Sequence, residues 1–315
     1  MVVASHGRHV WVETPDGQRL ICHPRGKKSQ TVVGDQVLWQ ASADEGTIEK
    51  VQTRRNLFYR QDEVRTKSFA ANLDQIVILI AAEPEFSETQ LAYALIAAEA
   101  ERIRPIIALN KSDLAQAFER AWQRLAVYRA MGYSVLPMAL KPRGPATTIP
   151  VVNPLDAVLQ GKTTLVLGPS GSGKSTLINR LLPQAQVLTQ DLSSALNAGK
   201  HTTTSTTLYW VDAQRTTAVI DSPGFQEFGL QHIEPMRLAS LMPDILAHTS
   251  QCRFYNCSHT HEPGCSAIAA VAAGEPPADA MEGNSAFIAS TAYRISARRY
   301  KIYSDLFTAL SQKRY

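Results

Sequence analysis

The sequence predicts a multidomain α/β protein, and three features of its pattern carry that expectation. Short alternating segments broken by turns run from about Gly7 to Arg60. From Asp74 buried strands alternate with amphipathic helices. Beyond about Gln231 the strand pattern gives way to helix around a cysteine-rich window. A chain of 315 residues has room for two or three domains at roughly 100–200 residues each.

The first region places Val10-Trp11-Val12 and Leu20-Ile21-Cys22 on either side of the turn Pro15-Asp16-Gly17, which predicts a small β-barrel or sandwich. Arg25-Gly26-Lys27-Lys28, Gly34-Asp35 and Arg54-Arg55 punctuate it, and basic loops of this kind suit RNA. In the second region strands are expected over Gln75–Ala82, Pro105–Asn110, Thr163–Leu167, Leu208–Val211 and Thr217–Asp221. Helices are expected over Glu88–Arg102, Leu114–Met131 and Lys174–Leu182. Such alternation makes a mostly parallel sheet with crossover helices. A Pro/Gly-rich connector, Lys141 to Pro150, interrupts the pattern without ending it.

Composition narrows the function classes. The chain is 44% hydrophobic and 19% charged, ordinary for a folded soluble protein. Its longest apolar run, Ile76–Ala82, is far shorter than the roughly 20 residues of a membrane-spanning helix, and the N-terminus lacks the pattern of a secretory signal. A cytoplasmic, monomeric protein with no membrane partner is expected. Net charge is +4, unevenly spread: Arg294, Arg298, Arg299, Lys301, Lys313 and Arg314 face Asp305 alone, which suggests a basic C-terminal helix that could grip a phosphate backbone.

Three motifs carry the chemistry. Gly168-Pro169-Ser170-Gly171-Ser172-Gly173-Lys174-Ser175-Thr176 fits G-x-x-x-x-G-K-S between an apolar strand and a helix. Its glycines let backbone N–H groups converge on phosphate, Lys174 supplies a cation to the β- and γ-phosphates, and Ser175 offers a ligand to Mg²⁺. Asn110-Lys111-Ser112-Asp113 closes a predicted strand at its carboxyl end, where nucleotides bind in open α/β sheets. It resembles the N-K-x-D guanine-reading motif: Asp113 would accept two N–H bonds from guanine, Lys111 would pack over the base and Asn110 would brace the loop. Asp221-Ser222-Pro223-Gly224 is a D-x-x-G after a strand, where the aspartate holds Mg²⁺ through water and the Gly224 N–H meets the γ-phosphate. These motifs predict a GTP/GDP site with Mg²⁺.

Their order is unusual, because N-K-x-D precedes the phosphate loop. A circular permutation explains it, since domain termini often lie close enough to be rejoined. The segment after Gly224 then runs directly into the C-terminal region. A P-loop kinase or ATPase, or an RNA-binding module that uses bound GTP only to hold its shape, are the competing readings.

The only four cysteines include Cys252, Cys257 and Cys265 in one window. With one histidine they supply the donor set of a closed structural zinc site; the spacing leaves His259 and His261 as alternatives.

With permuted motifs between a β-barrel and a Cys/His cluster, the chain resembles the family of ribosome small-subunit-dependent GTPases known as RsgA or YjeQ. The resemblance rests on Arg25-Gly26-Lys27, Gly34-Asp35, Ala71-Asn72-Leu73-Asp74-Gln75, Asn110-Lys111-Ser112-Asp113, Gly199-Lys200-His201-Thr202-Thr203-Thr204, Asp221–Phe225 and Cys252 through Cys265, and it covers nearly the whole chain. It implies an N-terminal OB-fold (1–70), a circularly permuted GTPase domain (71–231) and a zinc-binding domain ending in the basic helix (232–315). It also implies one structural zinc held by Cys252, Cys257, His259 and Cys265, and GTP hydrolysis on the 30S subunit and its 16S rRNA in late maturation. Departures are Ser172 and Thr176 where the family commonly has valine and serine, and Met138-Ala139-Leu140 where a Ser-Ala-Lys usually supports the base. Phe225 stands where Ras-like GTPases carry the water-positioning glutamine. In the presumed switch I, Thr203 or Thr204 is expected to meet Mg²⁺ and His201 to orient the attacking water.

Overall fold

A computed structural model of the chain describes residues 1–6, 9–25, 31–42, 45–141, 154–182, 206–222, 228–272 and 294–312. Its spine is an 11-stranded sheet in the order β10-β9-β8-β11-β13-β12-β1-β2-β3-β5-β4. The central strands are β8 (Gln75–Ala81), β9 (Arg104–Asn110), β10 (Ser134–Pro137), β11 (Thr163–Leu167) and β13 (Ala218–Asp221), all pairing in parallel, with β12 (Thr206–Trp210) antiparallel to β13. The expected parallel sheet with crossover helices is therefore present. All seven residues of β8 are buried, which a strand covered on both faces requires.

Alternation divides those strands between two cores. Ile76, Ile78, Ile80, Ile107, Leu165 and Ile220 face one layer, which includes α1 (Glu88–Ala100) and the C-terminal region. Val77, Leu79, Ile106, Ala108, Val166 and Val219 face the other, covered by α4 (Pro154–Leu159) and α5 (Lys174–Leu181) through Leu155, Leu159, Leu177 and Ile178. α1 begins where Ser87 accepts a hydrogen bond from the Gln90 N–H at 3.3 Å, a side-chain cap on an otherwise orphan donor.

The N-terminal strands are β1 (Val2–His6), β2 (His9–Glu13), β3 (Arg19–Pro24), β4 (Val37–Ala41) and β5 (Gly46–Val51). β1 to β3 form an antiparallel meander, β5 pairs parallel to β3, and β4 returns antiparallel on β5. This order is that of a five-stranded Greek-key barrel. These five strands are not a detached bead, because β1 pairs antiparallel with β12 through Ala4↔Thr207 and Ser5↔Thr206. A separate hairpin, β6 (Leu57–Gln61) and β7 (Thr66–Ala71), follows. It is tied to the segment downstream of D-x-x-G: the Gln61 N–H donates to Gly229 O at 3.0 Å, and the Gln231 N–H to Gln61 O at 2.9 Å.

Several expectations need correction. The single helix expected over Leu114–Met131 is two, α2 (Ala115–Arg124) and α3 (Ala126–Ala130), broken at fully buried Leu125. There the Leu125 N–H is shared between the carbonyls of Ala121 and Trp122, and Arg129 caps Trp122 O at 2.9 Å. Arg54 is not a free basic loop residue: its guanidinium forks onto the fully buried Asp35 carboxylate at 2.7 and 2.8 Å. Arg55 likewise bonds Asp74 and Asn72 O, both at 2.9 Å.

The C-terminal region holds a 3₁₀ turn (Pro235–Leu241), α6 (Pro243–Thr249), α7 (Ser266–Ala272) and α8 (Ala297–Ser311). The basic face expected on α8 is partly internal. Arg299 is 3% exposed and grips Asp244 of α6 at 2.8 and 2.9 Å, with its guanidinium 5.3 Å from the centroid of the buried Tyr128 ring. Arg298 pairs with Glu88 at 3.1 Å. These two arginines join α8 to α6 and to α1. Lys313 and Arg314 lie outside the described residues.

Candidate nucleotide site and Cys/His cluster

Strand register places the three motifs side by side. Asn110 ends β9 opposite Ala81 of β8, β8 borders β11, and Asp221 of β13 lies opposite Val166 of β11. All three motifs thus start at the carboxyl ends of parallel strands in one run, β9-β8-β11-β13, the edge where open α/β sheets bind ligands.

The base-reading and phosphate loops are physically coupled through Asn110. Its buried carboxamide donates to Ser172 O at 2.9 Å and accepts from the Leu140 N–H at 3.1 Å. One side chain therefore braces the phosphate loop and the segment Met138–Leu140. The same segment is held a second time, by the Ser112 N–H donating to Met138 O at 2.9 Å. Met138-Ala139-Leu140 lacks the usual residue types, yet it lies against the Asn110–Asp113 loop through these two bonds.

Glycine is required at Gly173 on two counts. Its φ of 103° lies in the left-handed region, and a Cβ there would fall on the Asn110 carboxamide. Lys111 also takes positive φ, 69°, and its ammonium donates to Glu83 O rather than to any acid. Asp113 is half-buried, and among the described residues no hydrogen bond or ion pair engages its carboxylate.

At the phosphate end the Lys174 ammonium meets Asp221 Oδ1 at 2.5 Å. The pair balances two charges that a polyphosphate and its cation would each draw away. Ser172 Oγ and Ser222 Oγ are buried without a hydrogen-bond partner among the described residues, so this end of the sheet holds unspent polar groups. Ser175 is exposed at the first turn of α5. Gly168, Pro169, Ser170, Gly171 and Thr176 complete the loop and its entry into α5. His201, Thr203, Thr204 and Gly224 lie outside the described residues.

The second site is a knuckle between α6 and α7. Ligand atoms of Cys252, Cys257, His259 and Cys265 all lie within 4.8 Å of one another. Cys252 Sγ and Cys265 Sγ are 3.9 Å apart, and His259 Nδ1 is 3.4 Å from each. Tetrahedral zinc with bonds of about 2.3 Å to sulfur and 2.0–2.1 Å to nitrogen sets edges of about 3.8 Å and 3.5 Å, so the donors fit that ion. His259, at φ 59°, points into the cluster. His261 is exposed and bonds Thr260 Oγ1 at 2.9 Å, and it is His259 that lies with the three cysteines. α8 buttresses the knuckle: Tyr300 donates to His259 O at 2.9 Å and Tyr303 to Ser258 O at 2.7 Å.

The fold and the motif geometry define a P-loop GTPase whose motif order is circularly permuted. Comparison with known proteins narrows this. Residues 51–231 match the family model described as RsgA GTPase. The small ribosomal subunit biogenesis GTPase RsgA of Variovorax paradoxus (strain S110) is 66% identical over 315 residues, covering 100% of this chain and 93% of that relative. The protein of the same name in Paraburkholderia phymatum is 46% identical over 314 residues, covering 99% and 92%. Among solved structures, YjeQ from Thermotoga maritima superposes with a TM-score of 0.68 at 26% identity, covering 100% of this chain and 98% of that one. YloQ, described as a circularly permuted GTPase, gives 0.66 at 26% identity over 100% and 96%. The chain belongs to the RsgA GTPase family.

Proposed function

We propose that this protein hydrolyses GTP to GDP and phosphate on the 30S ribosomal subunit during late small-subunit biogenesis. The observation that carries the reading is the Asn110 bridge, which makes the N-K-x-D loop and the phosphate loop one binding surface. The names of the relatives supply the subunit.

In this reading Asp113 accepts the guanine N–H groups, with Lys111 and Ser112 completing the base loop. The backbone from Gly168 to Gly173 and the side chain of Lys174 cradle the phosphates, with Thr176 supporting the loop's exit. Ser175, Asp221 and one of Thr203 or Thr204 hold Mg²⁺, which neutralises phosphate charge, while the Gly224 N–H meets the γ-phosphate. Phe225 can neither donate nor accept, so His201 orients the attacking water and unstimulated turnover is slow. Cys252, Cys257, His259 and Cys265 hold one structural zinc; four protein ligands leave no position for a reacting water.

The five N-terminal strands are read as an RNA-binding OB-fold (1–70), followed by the GTPase domain (71–231) and the zinc domain (232–315). The 16S rRNA is the proposed contact, and the protein acts as a cytoplasmic monomer. No helix among the described residues is long and apolar enough to cross a membrane. Multiple-turnover phosphate release, measured for the protein alone, with 30S and with 50S subunits, tests the reading. Stimulation by 30S alone is expected; equal rates in all three would overturn it.

A further inference from the structure

The turn between the first two cysteines of the knuckle exposes two large aromatic side chains that the fold does not use. Phe254 is 40% exposed and Tyr255 102%, the most exposed of the chain's large hydrophobic side chains described. Single exposed apolar residues are ordinary, but this pair is adjacent and sits on a turn pinned at both ends. Cys252 and Cys257 belong to the cluster, the Arg253 N–H donates to Gly264 O at 3.2 Å, and the Cys257 N–H to Phe254 O at 3.3 Å. Aromatic rings carried on a held backbone lose little entropy when a partner covers them.

The charge around them selects the partner. The Arg253 guanidinium lies 5.4 Å from the Phe254 ring centroid, which leaves a cation beside that ring. Across 249–265 the one acid is Glu262, and its carboxylate is turned inward. It accepts from the Ser258 N–H at 2.7 Å, from Ser258 Oγ at 2.5 Å, and from the Thr260 and His261 N–H groups at 3.3 Å. These bonds hold the Glu262 acid far below the usual carboxylate range despite the opposing cost of burial. His261, in the same knuckle, is exposed. The turn therefore offers π faces and a guanidinium, with an exposed imidazole in the same knuckle, while its one carboxylate is engaged by Ser258, Thr260 and His261.

We infer that Phe254 and Tyr255 form a stacking platform for unpaired RNA bases, with Arg253 meeting the adjoining phosphate. Every base has a π face, and aromatic stacking tolerates sequence while guanidinium takes the backbone. A duplex keeps its bases stacked internally and cannot use such a platform. The inference rests on the RNA-associated reading of the protein, and adds to it a site on the zinc knuckle, apart from the β-barrel.

The test uses the full chain and a short fluorescently labelled single-stranded RNA of mixed sequence, with the same strand annealed as a duplex. The double variant Phe254→Ala/Tyr255→Ala should lose about 10-fold or more in affinity for the single strand, at about 5- to 150-fold per stacked base, and bind duplex as the wild type does. Its metal content and RNA-free GTP turnover should not change. Tyr255→Trp should retain binding, and the emission it adds over wild type should be quenched by the single strand. Wild-type affinity in the double variant, or unquenched emission in Tyr255→Trp, overturns the inference. So does lost 30S binding with unchanged oligonucleotide binding, which would give the platform to a ribosomal protein. Failure of the functional reading appears elsewhere, as wild-type protein whose turnover ignores 30S subunits.

Discussion

Asn110→Ala removes one side chain and breaks two connections at once. The variant leaves the Leu140 N–H and Ser172 O without their partners, at a residue that is 4% exposed. A buried polar group stripped of its partner costs about 1–3 kcal/mol, so two should lower stability by about 2–6 kcal/mol. The nucleotide effect follows from geometry: base loop and phosphate loop would no longer be held at fixed separation, and GTP affinity should fall about tenfold or more, the equivalent of about 1.4 kcal/mol. Urea unfolding followed by tryptophan emission gives the first quantity, and titration with a fluorescent GTP analogue the second. Asn110→Asp is the informative companion, because it keeps the acceptor for Leu140 but sets a carboxylate against Ser172 O. It should recover part of the stability and little of the affinity. A variant Asn110→Ala within about 0.5 kcal/mol of wild type, with unchanged affinity, would refute the bridge.

Three further outcomes are expected. Arg299→Met strands the Asp244 carboxylate, 5% exposed, and should destabilise the protein by about 3–5 kcal/mol; Arg299→Met/Asp244→Leu should regain most of this in chemical denaturation, and no loss in the single variant would contradict the pairing. Freshly purified protein should carry close to one zinc per chain by metal analysis and Cys257→Ala far less, with α8 loosened in hydrogen exchange because Tyr300 and Tyr303 bond the knuckle backbone; a wild-type content well under one equivalent would count against the site. His201→Ala should keep GTP and 30S binding yet lose most 30S-stimulated phosphate release, whereas normal stimulated release would leave water positioning to the ribosome.

What was legible in the sequence follows a physical divide. Motifs for phosphate, guanine and zinc demand particular residue types at fixed spacing, so Gly168–Thr176, Asn110–Asp113 and the cysteines stood out, and the fold brings the two loops together and the cysteines into one cluster. The central strands were equally plain, because β8 and β9 are buried on both faces and therefore read as continuous apolar runs. Long-range pairing was not legible. β1 is a short segment whose partner, β12, lies some two hundred residues away, and nothing local marks that register. Charge was the least informative signal. Arg54, Arg55, Arg298 and Arg299 read as candidates for RNA contact, and each is committed to a carboxylate. A sequence gives the number of cations but not which face of a helix the tertiary fold turns inward. The helix break at Leu125 was hidden for a related reason, since no glycine or proline marks it. The exposed pair Phe254-Tyr255 was hidden too, because apolar composition alone suggests core.

The central claim, that a permuted N-K-x-D loop makes this a guanine-nucleotide site, is tested most directly at Asp113. Asp113→Asn exchanges an acceptor for a donor facing the guanine amino group. Two charge-assisted hydrogen bonds at about 1.5–3 kcal/mol each predict a loss in GTP affinity of about a hundredfold or more. Xanthosine triphosphate, whose C2 oxygen accepts, should bind the variant better than the wild type. Competition between GTP, ATP and xanthosine triphosphate against a labelled nucleotide, run on both proteins, reads this in one experiment. A switch from guanine to xanthine preference is the predicted result; a variant that still prefers GTP, or a wild type that binds ATP as well as GTP, would contradict it.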